Sequence, residues 1–121
     1  MEITMNIYQD KAQETAIYPK ENNLDLIYTT LGLAGEAGEI ANKVKKIIRD
    51  DAGVLKSDVE DALRDELGDV LWYVAGVARA LSADLNEVAI LNLVKLQSRK
   101  NRGKIGGSGD TRWTQKNEYR I

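Results

Sequence analysis

The chain has no cysteine, no histidine and no phenylalanine, and one proline in 121 residues. Without cysteine there are no disulfides, no thiolate nucleophile and no zinc–sulfur site; a reducing compartment is allowed. Without histidine there is no Ser-His-Asp triad, no imidazole base and no di-iron bundle built on Glu-x-x-His. Catalysis, if present, falls to carboxylates, lysines, arginines, tyrosines or water on a metal. No apolar run approaches the ~18 residues of a membrane span. The first residues, MEITMNIYQDK, lack the apolar core of a signal peptide. The expectation is a soluble, cytoplasmic protein with no membrane partner.

What is present suits one domain with a real core. The formal charge is −2, unevenly spread: residues 1–90 carry 17 acidic and 9 basic side chains, residues 91–121 carry 2 and 8. A basic tail on an acidic body is open to three readings. It binds nucleic acid, it folds over the acidic region and holds a metal-bound polyphosphate, or it is a solvated terminus.

Two acidic pairs stand out. Glu36 and Glu39, in LGLAGEAGEI, lie three apart; so do Glu66 and Asp69, in RDELGDVLWY. On a helix, residues three apart share a face about one turn apart. Two such helices side by side can close a four-carboxylate site for a hard divalent cation. A single such pair reads first as a solvated face, and Glu39 with Lys43 makes an ordinary i,i+4 ion pair. The second helix fits that reading less well. Asp61, Asp65 and Asp69 are successive like-charge i,i+4 neighbours, and no base on their own helix answers Glu66 or Asp69.

Periodicity predicts an all-α fold of four helices. The first is expected over Met5 to Tyr18, capped by Asn6 and ended by Pro19. The second, capped by Asn22 or Asn23, runs to Arg49. Its stripe of Leu24, Ile27, Leu31, Ala34, Gly38, Ala41, Val44 and Ile48 is the expected buried face. Gly32, Gly35 and Gly38 each cost about 0.8–1 kcal/mol inside it, which calls for a close neighbour or room for a ligand. The third covers roughly 58–80 after a capping box of Ser57 and Glu60. Its expected core stripe is Leu63, Leu67, Val70, Leu71, Val74, Val77, Ala78 and Leu81. Ser82 or Asp84 caps the fourth, Asp84 with Glu87 as a second box. That helix is apolar nearly all round in places, which points to a subunit interface. It also carries a polar stripe of Asn92, Lys95 and Arg99. The domain is assigned to residues 1–102 and a basic glycine-rich tail to 103–121, with Lys104 and Arg112 as candidate anion contacts. The tail lacks the ending of a P-loop.

The chain resembles the MazG-like all-α nucleoside triphosphate pyrophosphatases. Their hallmark is E-x-x-E, a spacer, then E-x-x-D. Here these are Glu36-Ala37-Gly38-Glu39, 26 intervening residues, and Glu66-Leu67-Gly68-Asp69. NLVKLQSR, from Asn92 to Arg99, matches the basic stripe often found on the family's last helix. Some relatives carry a further acid just before the first Glu, where this chain has Gly35; the number of metal ions per site stays open.

The resemblance implies a hydrolase that splits a nucleoside triphosphate between its α- and β-phosphates, releasing monophosphate and pyrophosphate in nucleotide-pool housekeeping. It implies Mg²⁺, with Mn²⁺ as substitute, held by Glu36, Glu39, Glu66 and Asp69. Glu39 is the favoured residue to orient or deprotonate the attacking water. Lys43, Lys95, Arg99 and Arg112 would meet the triphosphate, Asn92 the phosphate or sugar, and Tyr73 or Trp72 a base. It implies a homo-oligomer, a tetramer ahead of a dimer. The rival readings are a catalytically silent helical oligomer stabilised by metal, and a nucleic-acid-binding module using the basic tail.

Overall fold

The computed structural model describes residues 1–103. Among them are four α-helices and one 3-10 turn, with no strand: α1 (Met5–Gln13), the turn Glu21–Asn23, α2 (Leu24–Asp50), α3 (Ser57–Ala80) and α4 (Leu85–Asn101). No described helix is long and apolar enough to cross a membrane.

α1 is shorter than its periodicity suggests. Thr4, not Asn6, is its cap, accepting a hydrogen bond from Ile7 N at 3.1 Å. It stops at Gln13, where the Thr15 hydroxyl donates back to Ala12 O and the backbone tightens to i→i−3 bonds. Asn6 does different work: its amide donates to Asp84 Oδ2 at 2.7 Å and its oxygen accepts from Asn86 N at 2.9 Å. Gln9, 5% exposed, repeats the device, donating to Ala83 O at 2.9 Å and accepting from Leu85 N at 3.0 Å. Two side chains of α1 thereby anchor the start of α4, whose own cap is Asp84 on Glu87 N. Replacing Gln9 by Leu would leave a buried carbonyl and a buried N–H unsatisfied, at about 1–3 kcal/mol each. Urea denaturation should show Gln9→Leu less stable by about 2–6 kcal/mol.

α2 starts where asparagines permit it. Asn22 and Asn23 both adopt left-handed backbone (φ 54° and 61°), which Asn tolerates better than most residues. Asn23 holds the cap position, but its side chain makes no capping bond. At the far end the N–H groups of Asp51 and Gly53 both return to Ile47 O, with Gly53 at φ +80°. Ser57 is the first residue of α3 and not its cap; Lys56 holds the cap position, and Glu60 pairs with Arg64 instead of closing a box.

α2 and α3 form an antiparallel hairpin, as the cross-helix partners show. Lys43 meets Glu66, Gly32 meets Tyr73, and Thr29 meets Gly76. Thr29 is wholly buried. Its hydroxyl returns to Asp25 O at 2.8 Å, and a Cβ on Gly76 would lie 2.8 Å from its methyl. α1 lies against α3, and α4 packs chiefly on α1 and α3. The small core, Ala75, Ala78 and Leu85 with Tyr8, Ala12, Val74 and Ala83 around them, sits where these three meet.

The expected buried face of α2 is not buried. All eight residues from Leu24 to Ile48 in that stripe are exposed, Leu31 at 68%. α3 is met by the opposite side of the helix, which carries Thr29, Gly32, Leu33, Glu36, Ile40, Lys43 and Ile47. Periodicity identifies an apolar stripe but not what covers it. Leu67 and Leu71 of α3 and Leu81 just after it are likewise exposed, while Ala75, outside the expected stripe, is the best buried apolar residue described.

Candidate metal centre

Glu36 faces α3 because it follows Thr29, Gly32 and Leu33 round the helix onto the hairpin contact. Glu66 and Asp69 come from the facing stretch of α3. One carboxylate oxygen from each of Glu36, Glu66 and Asp69 lies within 4.8 Å of the other two. Glu36 and Glu66 are half-buried and Asp69 is exposed. Ligand distances of about 2.0–2.6 Å for Mg²⁺ or Ca²⁺ let one ion touch all three oxygens, and an all-oxygen donor set suits either cation. The residues present therefore fit a hard divalent cation.

The fourth carboxylate, Glu39, is exposed, one turn beyond Glu36 and outside this trio. Its charge still acts on Glu36. Lys43 does not pair with Glu39 along the helix; its ammonium reaches Glu66 across the hairpin at 3.2 Å. The base that α3 does not offer Glu66 is thus supplied by α2.

Glu36 is pushed above the ordinary carboxylate range. Partial loss of water is the main cause, followed by a hydrogen bond with Glu66 and the charges of Asp69, Glu66 and Glu39. A carboxyl with a raised folded pKa favours the folded state while protonated, and that benefit is lost as pH rises through the raised value. A cation among the three oxygens relieves the same repulsion. Mg²⁺ should therefore raise the melting temperature more at neutral pH than at about pH 5. Differential scanning fluorimetry with and without EDTA checks this; an equal gain at both pH values contradicts it.

Residues 26–103 match the MazG nucleotide pyrophosphohydrolase domain. The chain belongs to this family. It is also similar to the Gene 37 protein of Mycobacterium phage L5, 56% identical over 112 residues, which are 89% of this chain and 98% of that protein. No solved structure matches it.

In this MazG chain the aromatic residues expected to meet a base are engaged in packing. Trp72 donates its indole N–H to Thr15 Oγ1 at 2.9 Å, tying α3 to the turn after α1. Tyr73 lies over Gly32, where any Cβ would overlap its ring, and stands edge-on to Trp72 with centroids 5.0 Å apart. That close approach is what Gly32 provides for. Gly35, Gly38 and Gly68 have nothing near the position of a Cβ, so the backbone beside the acids is open. Tyr73 connects the trio to a ring the sequence reading did not single out. Its phenol pKa is raised by burial first, then by Tyr28 through charge and a hydrogen bond, then by the charges of Glu36 and Asp69. Tyr8 of α1 is raised in the same sense, by burial and then Asp69.

Lys43 also lines a hollow of about 340 Å³ between α2 and α3, together with Lys46, Asp50, Asp51 and Asp58. On α4, Asn92 is exposed, while Lys95 and Arg99 are half-buried and engaged with neighbours. α4 packs mainly on α1 and α3, whereas the trio lies between α2 and α3. Lys104 and Arg112 lie outside the described residues.

Proposed function

We propose that this MazG-family protein is a Mg²⁺-dependent nucleotide pyrophosphohydrolase. It cleaves a nucleoside or deoxynucleoside triphosphate between the α- and β-phosphates and releases monophosphate and pyrophosphate. The observation that carries the reading is the trio Glu36, Glu66 and Asp69, gathered from two facing helices in a chain of this family.

The roles follow from the chemistry of the groups. Glu36, Glu66 and Asp69 hold the cation, and Mn²⁺ would serve in its place. A divalent cation there neutralises phosphate charge and acts as a Lewis acid. Glu39, exposed beside the trio, is free to turn to an attacking water and accept its proton. Lys43, at the trio's edge, offers its ammonium to phosphate oxygens, as does Lys46 in the adjoining hollow. Asn92, Lys95 and Arg99 lie on α4, packed on α1 and α3; they complete the phosphate contacts where assembly of copies carries α4 to the trio, Arg99 by its planar fork. Degradation of surplus or noncanonical nucleotides is the role this chemistry suits.

The working unit is a homo-oligomer, a tetramer ahead of a dimer. Two observations support assembly. The apolar stripe of α2 is exposed along its whole length, and Val88, Ile90 and Leu93 of α4 with Leu67 and Leu71 of α3 are exposed as well. Apolar faces on separate helices favour more than one kind of contact between copies.

The test is product analysis. The purified protein is incubated with Mg²⁺ and a panel of canonical and modified triphosphates, and the products are resolved by anion exchange. Monophosphate with pyrophosphate, lost with EDTA, is the expected result. Diphosphate with orthophosphate would overturn the cleavage position. No turnover on any substrate would overturn the reading.

A further inference from the structure

We propose that Tyr28 is the stacking platform for the nucleobase, one that reads aromatic surface and not base identity. This rests on the hydrolase reading above and extends it to substrate recognition.

Tyr28, Gly32 and Glu36 follow one another at i, i+4 and i+8 on α2, so they lie along one side of the helix. Two turns separate Tyr28 from Glu36, a rise of about 12 Å. The space between is filled from α3: Tyr73 lies over Gly32, with its ring centroid 6.4 Å from that of Tyr28. Carboxylates, Tyr73 and Tyr28 thus form a continuous row. A triphosphate held at the trio would direct its nucleoside along that row, across the open backbone at Gly35.

The ring of Tyr28 is held in place from behind. It stacks on buried Tyr18, centroids 4.7 Å apart and planes 19° from parallel. Tyr18 is itself fixed, by the edge of Trp72 at 6.0 Å and by the Lys20 ammonium 4.8 Å from its centroid. Yet Tyr28 is 47% exposed. With one face against Tyr18 and its hydroxyl meeting Tyr73 across the hairpin, the ring surface left over is what a base would meet. An aromatic ring backed on one face, two helical turns from the proposed cation site, is what base stacking uses, and stacking accepts any base. Trp72 and Tyr73 serve by contrast to position it: one is tied to Thr15 and the other covered by Gly32.

The experiment compares Tyr28→Leu and Tyr28→Phe with wild type. It measures steady-state kinetics on a hydrolysed triphosphate, inhibition by inorganic tripolyphosphate as a base-free probe, and equilibrium binding of an α,β-methylene nucleotide. Tyr28→Leu is expected to raise KM and the nucleotide Kd about tenfold or more, with kcat changed little. Its tripolyphosphate inhibition constant should stay at the wild-type value, and Tyr28→Phe should restore KM. An unchanged nucleotide Kd in Tyr28→Leu overturns the proposal. So does a parallel rise in the tripolyphosphate constant, which would mark a general disturbance of the site. If wild type binds the nucleotide through Tyr28 but never cleaves it, the hydrolase reading fails and this inference stands. If wild type binds no nucleotide, both fail.

Discussion

Asp69→Asn or Glu66→Gln should lower turnover at least about a hundredfold, since even outer-shell partners of metal ligands cost 10–100-fold when removed. The three oxygens of Glu36, Glu66 and Asp69 lie within 4.8 Å of one another, so each variant removes one charged donor from a set of three. The fold does not need them. Asp69 is exposed, and Glu66 meets α2 through Lys43 and Glu36 at a half-buried position. Helicity by circular dichroism should be unchanged. Glu36→Gln sharpens the test. Glu36 is pushed up in pKa, by partial loss of water first and then by Glu66, Asp69 and Glu39. This variant should lose activity like the others, yet melt a few degrees higher than wild type in EDTA at neutral pH. A dead enzyme that is more stable when metal-free is the signature of acids kept together for a cation. Wild-type turnover by any of the three would contradict the site.

The second large effect concerns assembly. Leu31→Asp places a charge in the middle of the exposed α2 stripe. An uncompensated charge buried at an interface costs about 3–5 kcal/mol, and a two-fold contact counts it twice. Association should weaken by at least a thousandfold. Size-exclusion chromatography with light scattering should show the mass fall from a multiple of 13.5 kDa towards 13.5 kDa itself. Lys11→Asp, on the exposed side of α1, serves as control and should leave the mass unchanged. An unchanged mass in Leu31→Asp would place the contact between copies elsewhere.

Local signals in the sequence identified much of this architecture. The ends of α2 and α3 fall within a residue or two of where the asparagines and the apolar period put them, and Asp84 caps α4 as its spacing with Glu87 suggests. The two acidic pairs were legible because i,i+3 spacing on a helix fixes a shared face before any tertiary contact exists. What was not legible depended on neighbours remote in sequence. Asn6 looks like a cap, but its partners are Asp84 and Asn86, about eighty residues away. The α2 stripe looks like a core because apolar residues mark a face meant to be covered, whatever covers it. Lys43 has good spacing for Glu39, yet the antiparallel hairpin brings Glu66 closer. Tyr28 carries no motif at all. Its significance comes from Tyr18, which lies in an irregular stretch before α2, and from Tyr73 across the hairpin.

The claim on which the rest depends is that Glu36, Glu66 and Asp69 form a cation site. Titrating the metal-free protein with Mn²⁺ and following free Mn²⁺ by electron paramagnetic resonance tests it most directly. Wild type should bind Mn²⁺ stoichiometrically per chain, Mg²⁺ should compete, and Asp69→Asn and Glu66→Gln should each weaken binding at least tenfold. Equal Mn²⁺ affinity in wild type and both variants would contradict the account.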